Sequence, residues 1–570
     1  MTQQLRGGIT SLVWLAAIVS GCGGWVDLAS PQTKGESGSG SMEVGGTSAV
    51  PGGVAGTGSE IGRGGSARPD SPAVAGTGGA PVGETGAGGA APEHGPLLVL
   101  EPPPPTLLPE GAEAPGVVWV GTSSITGGSL EDGVLVGTNA YCFKFSLSSP
   151  QCEWDSREAF VWTEASGMVV LDGLGALGAD ARYFYPQFVS LGGDVVVGTF
   201  SRSSAAGQTW GGYFRWTKDG GATTLGEPAG TESGGPEFMS DDGSVVAGMA
   251  KVMKSAALDH AEFLWTEPDG FQPLTLTTTW PETGEIKGMS ADGSVLVGQT
   301  HEDPVRVFRW TVAGGTEQLG SLPGLASCSF NRITRDADVV FGNCNDPQDY
   351  EHPGTSFRWT QSLGMQPLTL TDGGEPCSMY PGGLSENGLV AFGGARCGSS
   401  TTYPLARWGQ EGVKLLPTSP LGMTQLLRAG ASLDGNVAFG LISTLSVRDR
   451  PQEDGYNGTQ AFRWSAAEGI VPLGMLAGHQ LSSAYAADAH GDVLVGRSGV
   501  ENGASEAVLW DSQGLLAIAS YVQSQGVDLH GAHLRSAERV ATHDDITIVQ
   551  GLTDVQNQSG AWIAWIPRRL

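Results

Sequence analysis

One alternation of polar and apolar positions dominates the chain from about residue 116 to its end. Its clearest copy runs Met289-Ser-Ala-Asp-Gly-Ser-Val-Leu-Val-Gly298, then a variable segment, then Phe308-Arg-Trp-Thr311, then Gln318-Leu-Gly320. A polar Asp-Gly turn leads into a β-branched run, an aromatic pair two residues apart, and a short closing piece. Short apolar runs bounded by turn residues read as strands, and residues two apart share one strand face. Nine copies align on the glycine that ends the β-branched run: Gly137, Gly198, Gly248, Gly298, Gly342, Gly393, Gly440, Gly496 and Gly551. Tryptophans follow in step at Trp162, Trp216, Trp265, Trp310, Trp359, Trp408, Trp464, Trp510, and Trp562 or Trp565. A spacing of about 45–60 residues is that of a four-stranded propeller blade. The predicted fold is therefore all-β, a β-propeller of about eight or nine four-stranded blades, with an open solenoid as its rival.

The turn follows from the same alignment. Gly193, Gly243, Gly293, Gly388, Gly435 and Gly491 stand five residues before their anchors. A three-residue hairpin loop needs a left-handed residue at its third position, which suits glycine. Ala291-Asp292-Gly293 is then the loop, Ser290 faces Ser294, and the recurring Asp is a turn residue. Cysteines test the register. Cys328 and Cys344, and likewise Cys377 and Cys397, are centred six residues before their anchors, as cross-strand pairs of one hairpin must be. Cys142 and Cys152 would form a third pair, closing the next hairpin of the first unit. In the strand after the variable segment, Phe and Trp fill the space between blades. The position between them is Arg215, Arg309, Arg358, Arg407 or Arg463, but Val161, Leu264 or Leu509 elsewhere. A site that accepts all three types is mostly buried stem. The chain ends on an aromatic strand, and an unassigned strand, Val117-Val-Trp-Val-Gly121, is expected to pair beside it and close the ring.

Composition changes the picture only at the N-terminus. From about residue 28 to 115 branched apolar and aromatic residues nearly vanish, so no core can form there. Residues 22–115 read as a disordered, flexible Gly/Ser/Thr/Pro-rich linker ahead of the repeat domain, 116–570, with a reach of roughly 50 Å as a Gly-rich coil. The formal net charge is −29, which excludes a basic footprint for nucleic acid. Seven cysteines divide into one near the start and six beyond residue 140, the arithmetic of a processed N-terminus plus disulfides in an oxidising compartment.

Two resemblances follow. Ile9–Ser20 is a short apolar run ending in Val19-Ser20-Gly21-Cys22. It resembles the signal peptide and lipobox of bacterial lipoproteins, which implies that residues 1–21 are removed, that Cys22 is lipidated, and that Gly23 sends the chain to the outer membrane or cell surface. The Ser-Ala-Asp-Gly-Ser-Val-Leu-Val-Gly and Ala-Phe-Arg-Trp elements resemble the extracellular HAF repeats. The last unit resembles that family's C-terminal form, with a short helix and turn over Tyr521–His530 and strands at Ile546–Val549 and Ala561–Trp565. This resemblance implies a secreted β-repeat fold and carries no activity.

Function is expected on the face of the variable segments, of which 138–158 and 441–460 are long and read as loops. Loops on a rigid scaffold are the usual place for binding. The leading expectation is a membrane-anchored monomeric recognition or scaffold module for a protein or glycan, without catalytic residues, metal or cofactor. An extracellular polysaccharide hydrolase or lyase is the alternative. It would need convergent acids or a histidine site. His530 and His533 are three apart but loop-like, and His543-Asp544-Asp545 falls on a turn. No Gly-x-Ser-x-Gly or His-Glu-x-x-His is present. Calcium held by acidic turns such as Asp241-Asp242 is a third class, but no loop has a recognisable ligand spacing.

Overall fold

The computed structural model describes residues 116–569, less short internal stretches of which 120–123, 275–283, 347–353, 418–424 and 444–458 are the longest. Cys22, the signal-peptide region and the linker lie outside the described residues. The described chain forms nine antiparallel sheets, eight of four strands and one of five. Each anchor glycine lies in a different sheet. Blade four, containing Gly298, runs Gly284–Met289, Val295–Thr300, Val307–Thr311 and Gly315–Gln318. Blade six gains an extra strand, Leu370–Asp372, on the edge of its first strand.

Nine buried apolar clusters, one per blade interface, explain the uninterrupted apolar triplets. In blade four Leu296 packs with Phe238, Ala247 and Leu264 of blade three. Its neighbours Val295 and Val297 point the other way, to Val340, Phe357 and Trp359 of blade five. A strand covered on both faces needs no polar alternation. Phe308 and Trp310 sit together on the blade-three side, as their spacing predicts.

The ring closes as expected. Gly116–Trp119 pairs with the last strand, Gln558–Pro567, through Gly116↔Trp565 to Trp119↔Trp562. Leu135 and Phe160 of blade one pack on Ile548 and Ile563 of blade nine. The turn between first and second strands lies nearest the axis. Arg335 of blade five pairs with Asp241 of blade three, skipping the blade between. Main-chain bonds also join successive turns: Leu191 N–H donates to the Asp241 carbonyl (2.9 Å), Asp241 to Ala291 (2.7 Å), and Ala291 to Arg335 (2.8 Å). Leu433 N–H continues the series to Ala489 (3.0 Å).

The turn itself is one residue longer than expected. Ser290 N–H donates to the Val295 carbonyl (2.9 Å), so Ser290 faces Val295 and the loop is 291–294. Side chains dictate the extra residue. The Ser290 hydroxyl donates to Asp292 Oδ1 (2.7 Å) and accepts the Val295 N–H (2.9 Å), while Asp292 also accepts the Ser294 N–H (3.0 Å). Gly293 has the predicted left-handed φ of 71°, and Ala337 takes the same role in blade five at 57°. Ser290 is 3 % exposed, so Ser290→Ala leaves the Val295 N–H without a partner. This is expected to cost about 1–3 kcal/mol in chemical denaturation. A loss below about 0.5 kcal/mol would show that the hydroxyl does not hold the turn.

The register of the cystines is as derived. Cys328 pairs directly across from Cys344, and Cys377 from Cys397, and both pairs form disulfides. The side chains of Cys142 and Cys152 lie outside the described residues. The short helix of the last unit spans Ile518–Ser524, beginning before Tyr521, because Ile518 and Val522 bury against blades eight and nine.

Two features were not expected. Every first strand carries a β-bulge, at Thr126, Gln187, Glu237, Lys287, Asn331, Gly382, Leu427, Tyr485 and Glu538. In addition, 138–158 is not a loop. The second and third strands of blade one continue through it as Val134–Ser146 and Ser149–Thr163. Blades nine, two and three do the same, with Ile546–Val555 and Gln558–Pro567, Val195–Ser204 and Gly207–Thr217, and Val245–Lys254 and Ala257–Thr266. Paired backbones satisfy each other's polar groups, so these segments extend as ladders instead of loops. Four consecutive blades thus carry long hairpins on the face opposite the tight turns.

Candidate functional site

The residues that repeat have structural jobs. Hydrogen bonds from Ser240 and Ser244 hold the Asp242 carboxyl below its ordinary range, and those from Ser290 and Ser294 do so for Asp292. The arginines between Phe and Trp bridge blades: Arg215 lies 5.9 Å from the Trp265 ring and Arg358 5.4 Å from Trp408. Arg463 donates to the Gly491 carbonyl of the next blade (3.2 Å) and to Glu468 (2.6 Å). Of the rival histidine sites, His530 and Asp544 lie outside the described residues, and His533 opens the first strand of blade nine. The second expected loop, 441–460, is described only at its ends, as strand.

Acids do converge, between blades three and four. Glu237 is the bulge residue of strand Thr231–Met239. Glu262 lies on the third strand of the same blade, in one row with Met249 and Gly235. Across the interface, Glu285 and the bulge residue Lys287 stand on the first strand of blade four, where they pair. Paired residues of a sheet share a face, so Glu262 points at blade four across a row whose channel end is a bare glycine.

Glu262 is 7 % exposed, and its Oε2 has no hydrogen-bond partner. Burial pushes its carboxyl up to about 8, with Glu237 and Glu285 adding to the rise and Lys287 and the Ile286 N–H opposing it. Glu237 rises to about 7, first from burial and then from Glu285, against Lys287. On the other side of the same strand the fully buried Tyr213 hydroxyl also lacks a partner. It is raised by burial and then by Glu227 and Glu237. A glycine makes room for it, since a Cβ at Gly234 would lie 2.1 Å from the Tyr213 hydroxyl. Gln187 Oε1 is unpartnered as well.

Sequence reasoning missed these residues, although a signal was there. The position before the aromatic of the third strand is buried in every blade: Ala159, Tyr213, Glu262, Val307, Ser356, Leu405, Ala461, Ala507 and Ala561. Only Tyr213 and Glu262 put a titratable group into that column. Perturbed acids gathered at one place mark a candidate site by physical argument. Among the described residues no three His, Cys, Asp or Glu groups are placed to hold a metal ion.

A concavity of about 470 Å³ lies on the tight-turn face between blades one and two, lined by Asp132, Thr163, Asp172, Trp216 and Lys218. Its polar groups already serve one another. Trp216 donates to Asp172 (2.9 Å), and Lys218 lies 3.5 Å from Asp194. The glutamate cluster, with partners missing, is the better candidate.

No family model matches the chain, and no curated protein matches it. Among solved structures, it is similar to an oligogalacturonate lyase from Vibrio parahaemolyticus, at 12% identity and a TM-score of 0.33 over 76% of this chain and 98% of that one. It is also similar to TolB from Acinetobacter baumannii, at 13% identity and a TM-score of 0.25 over 60% and 80% of the two chains. Prolyl oligopeptidase B from Galerina marginata gives 10% identity and a TM-score of 0.36 over 69% and 56%. At such values these likenesses add nothing to the propeller that the sheet topology already shows, and they carry no functional argument.

Proposed function

We propose that this chain is a lipid-anchored recognition or scaffold module of the outer membrane or cell surface, binding a protein or polysaccharide partner. Cys22 is the acylated residue in this reading, 22–115 the tether, and the HAF-like repeats the rigid body. The observation that carries it is the run of long hairpins on blades nine, one, two and three. All four rise on a single face, the one opposite the tight turns. A rigid scaffold that presents such segments is suited to binding.

The test shortens two hairpins in the full chain. Residues 203–208 and 253–258 are each replaced by Asn-Gly, which closes a two-residue hairpin turn. A glycan array and a pull-down of envelope proteins are expected to yield a ligand for the unaltered chain. The shortened chain should bind it at least about tenfold more weakly with its melting temperature kept, a loss of about 1.4 kcal/mol. Finding no ligand, or equal binding by both chains, would overturn the proposal.

A second reading, an extracellular enzyme acting on a polysaccharide, is favoured by one observation. Glu262 and Glu237 hold protons near neutral pH, as a general acid must. Turnover of a polysaccharide that disappears in Glu262→Gln would favour this reading over the first.

A further inference from the structure

We propose that the groove between blades one and two, on the tight-turn face, receives an arginine side chain of a protein partner. The inference goes beyond the hairpin-face reading and does not depend on it, since the contact lies on the opposite face. Three observations carry it.

The first is a substitution within the repeat. The residue between the Phe and the Trp of the third strand is arginine in five blades. Three of these reach into the next blade: Arg215 to the Trp265 ring, Arg358 to Trp408, and Arg463 to the carbonyl of the turn residue Gly491. Arg463 and Arg407 also pair with a glutamate in the turn between the third and fourth strands of their own blade, Glu468 and Glu411. In blade one the residue is Val161, which packs toward blade two with Trp216. Valine is shorter than arginine and brings no donor. The counterparts of the arginine's neighbours remain: Trp216 for Trp265 and Trp408, Gly193 for Gly491, and Thr163 and Ser166 for the turn. All of them line the concavity of about 470 Å³, together with Val161. The opening therefore lies where other blades place a guanidinium.

The second is a precedent inside the molecule. Blade eight has Leu509 at the same position. There an arginine arrives from another segment. Arg569, just past the last strand, Gln558–Pro567, donates to both Asp511 oxygens (2.7 and 2.8 Å) and to the Gly514 carbonyl (3.0 Å). Asp511 and Gly514 bound the turn between the third and fourth strands of blade eight. Arg568 reaches Asp492 in the tight turn of that blade (3.2 Å). At blade one, among the described residues lining the groove, the one cation is Lys218, which lies 3.5 Å from Asp194.

The third is the chemistry of the rim. Val169, Val170 and Leu191 are 40 %, 49 % and 41 % exposed. They are three of the seven large apolar side chains left exposed among the described residues, and all three border this groove. Asp132 and Asp172 stand exposed on its blade-one side, and Asp132 takes no part in the Trp216–Asp172 or Lys218–Asp194 pair. Arginine lays its methylenes on apolar surface and spreads several N–H donors over separate acceptors. The backbone that carries it covers the apolar rim, which a free amino acid would leave bare, and this decides for a protein partner. A net charge of −29 draws a basic partner to the chain. As a place for chemistry the groove ranks below the glutamate cluster, because Trp216 and Lys218 engage two of its acids. As a place for a side chain it is open.

The experiment follows acetyl-Gly-Arg-Gly-amide on the full chain by saturation-transfer NMR, which detects weak binding to a large protein. Acetyl-Gly-citrulline-Gly-amide, neutral and nearly the same shape, acetyl-Gly-Lys-Gly-amide and free arginine are the comparisons. The arginine peptide should bind at least tenfold more tightly than the citrulline and lysine peptides. Asp132→Asn combined with Asp172→Asn should weaken it at least tenfold. Val161→Arg should abolish binding at an unchanged or raised melting temperature, because the chain then fills the groove itself. Val161→Leu, the residue of blades three and eight, should bind within threefold of the unaltered chain. No binding of the arginine peptide overturns the proposal, as does unchanged binding in a folded Val161→Arg chain. Should Val161→Arg not fold, unchanged binding in the double aspartate variant has the same force. Equal binding of the lysine peptide overturns the choice of arginine, and tighter binding of free arginine overturns the choice of a protein. Self-association that Val161→Arg disperses would make a second copy of this chain the occupant and overturn the choice of a different partner. The chain with shortened hairpins should bind the arginine peptide unchanged, so failure of the hairpin-face reading and failure of this site are read separately.

Discussion

Gly298→Ala is expected to destabilise the propeller by about 3 kcal/mol or more, the upper range for overpacking a core site. A Cβ there would lie 2.3 Å from the Glu285 carbonyl oxygen and 2.5 Å from the Phe308 ring. Neither neighbour can yield. Phe308 is buried directly across the strand pair, and the Glu285 carbonyl belongs to a strand held by its bulge and by the turn contacts near the axis. The demand is not one of left-handed backbone, which Gly298 does not adopt. It is one of close approach, and it recurs. At eight anchors, Gly198 through Gly551, a first-strand carbonyl oxygen lies 1.9–2.3 Å from where a Cβ would be. Gly175→Ala is the control, since a Cβ there meets nothing within 4 Å and its φ is not positive. Chemical denaturation of both variants gives the comparison. Equal stability of the two would mean that the first strand does not press on the anchor.

The pairing of the anchor with the aromatic explains why the two recur together. Gly298 lies opposite Phe308, and Gly137, Gly198, Gly248, Gly342 and Gly440 lie opposite Phe160, Phe214, Phe263, Phe357 and Phe462. An aromatic ring laid over a cross-strand glycine covers backbone that would otherwise be bare. This coupling was legible in the sequence as a repeat of two motifs at variable separation, and so were the strands, the ring closure and the cystine register. Each of those rests on residue types that only one local geometry suits.

What was not legible has a common cause. The bulge is a backbone event, and the residues that occupy it, from Thr126 and Glu237 to Tyr485, share no chemistry. The long hairpin of blade one was read as a loop because the apolar alternation fades once strands leave the blade-to-blade core, and those of blades nine, two and three gave no signal for the same reason. Their ladders persist on main-chain bonds. Glu237, Glu262 and Glu285 belong to three different strands, and only the packing of blade three on blade four brings them together. An alignment of the copies assigns such variable positions to the background. What exposes Glu262 is its column, apolar or small in most other blades.

Glu262 also makes the stability of the chain fall as pH rises. Its carboxyl has an ordinary value of 4.5 and is raised to about 8 in the fold, chiefly by burial. Between those values the folded state holds a proton that the unfolded state has released. Linkage then requires stability to be fully present below the unfolded value and to be lost as pH climbs through the folded one. Glu237, raised to about 7, acts with the same sign over a narrower window. Each carboxyl can remove up to about 1.4 kcal/mol per pH unit in its window. Asp242 and Asp292 are depressed and act with the opposite sign, but below the ordinary value of 3.8, so measurements above pH 5 exclude them. Gln at 262 is neutral at every pH and nearly the same shape. Glu262→Gln should therefore match the unaltered chain in melting temperature at pH 5 and exceed it increasingly at pH 6, 7 and 8, with the difference levelling above pH 8. Comparing the two chains at each pH cancels the repulsion of the remaining acidic surface, which both share. A difference that stays flat from pH 5 to 8 would mean that Glu262 is already ionised in the fold, and that the interface between blades three and four supplies a countercharge of its own.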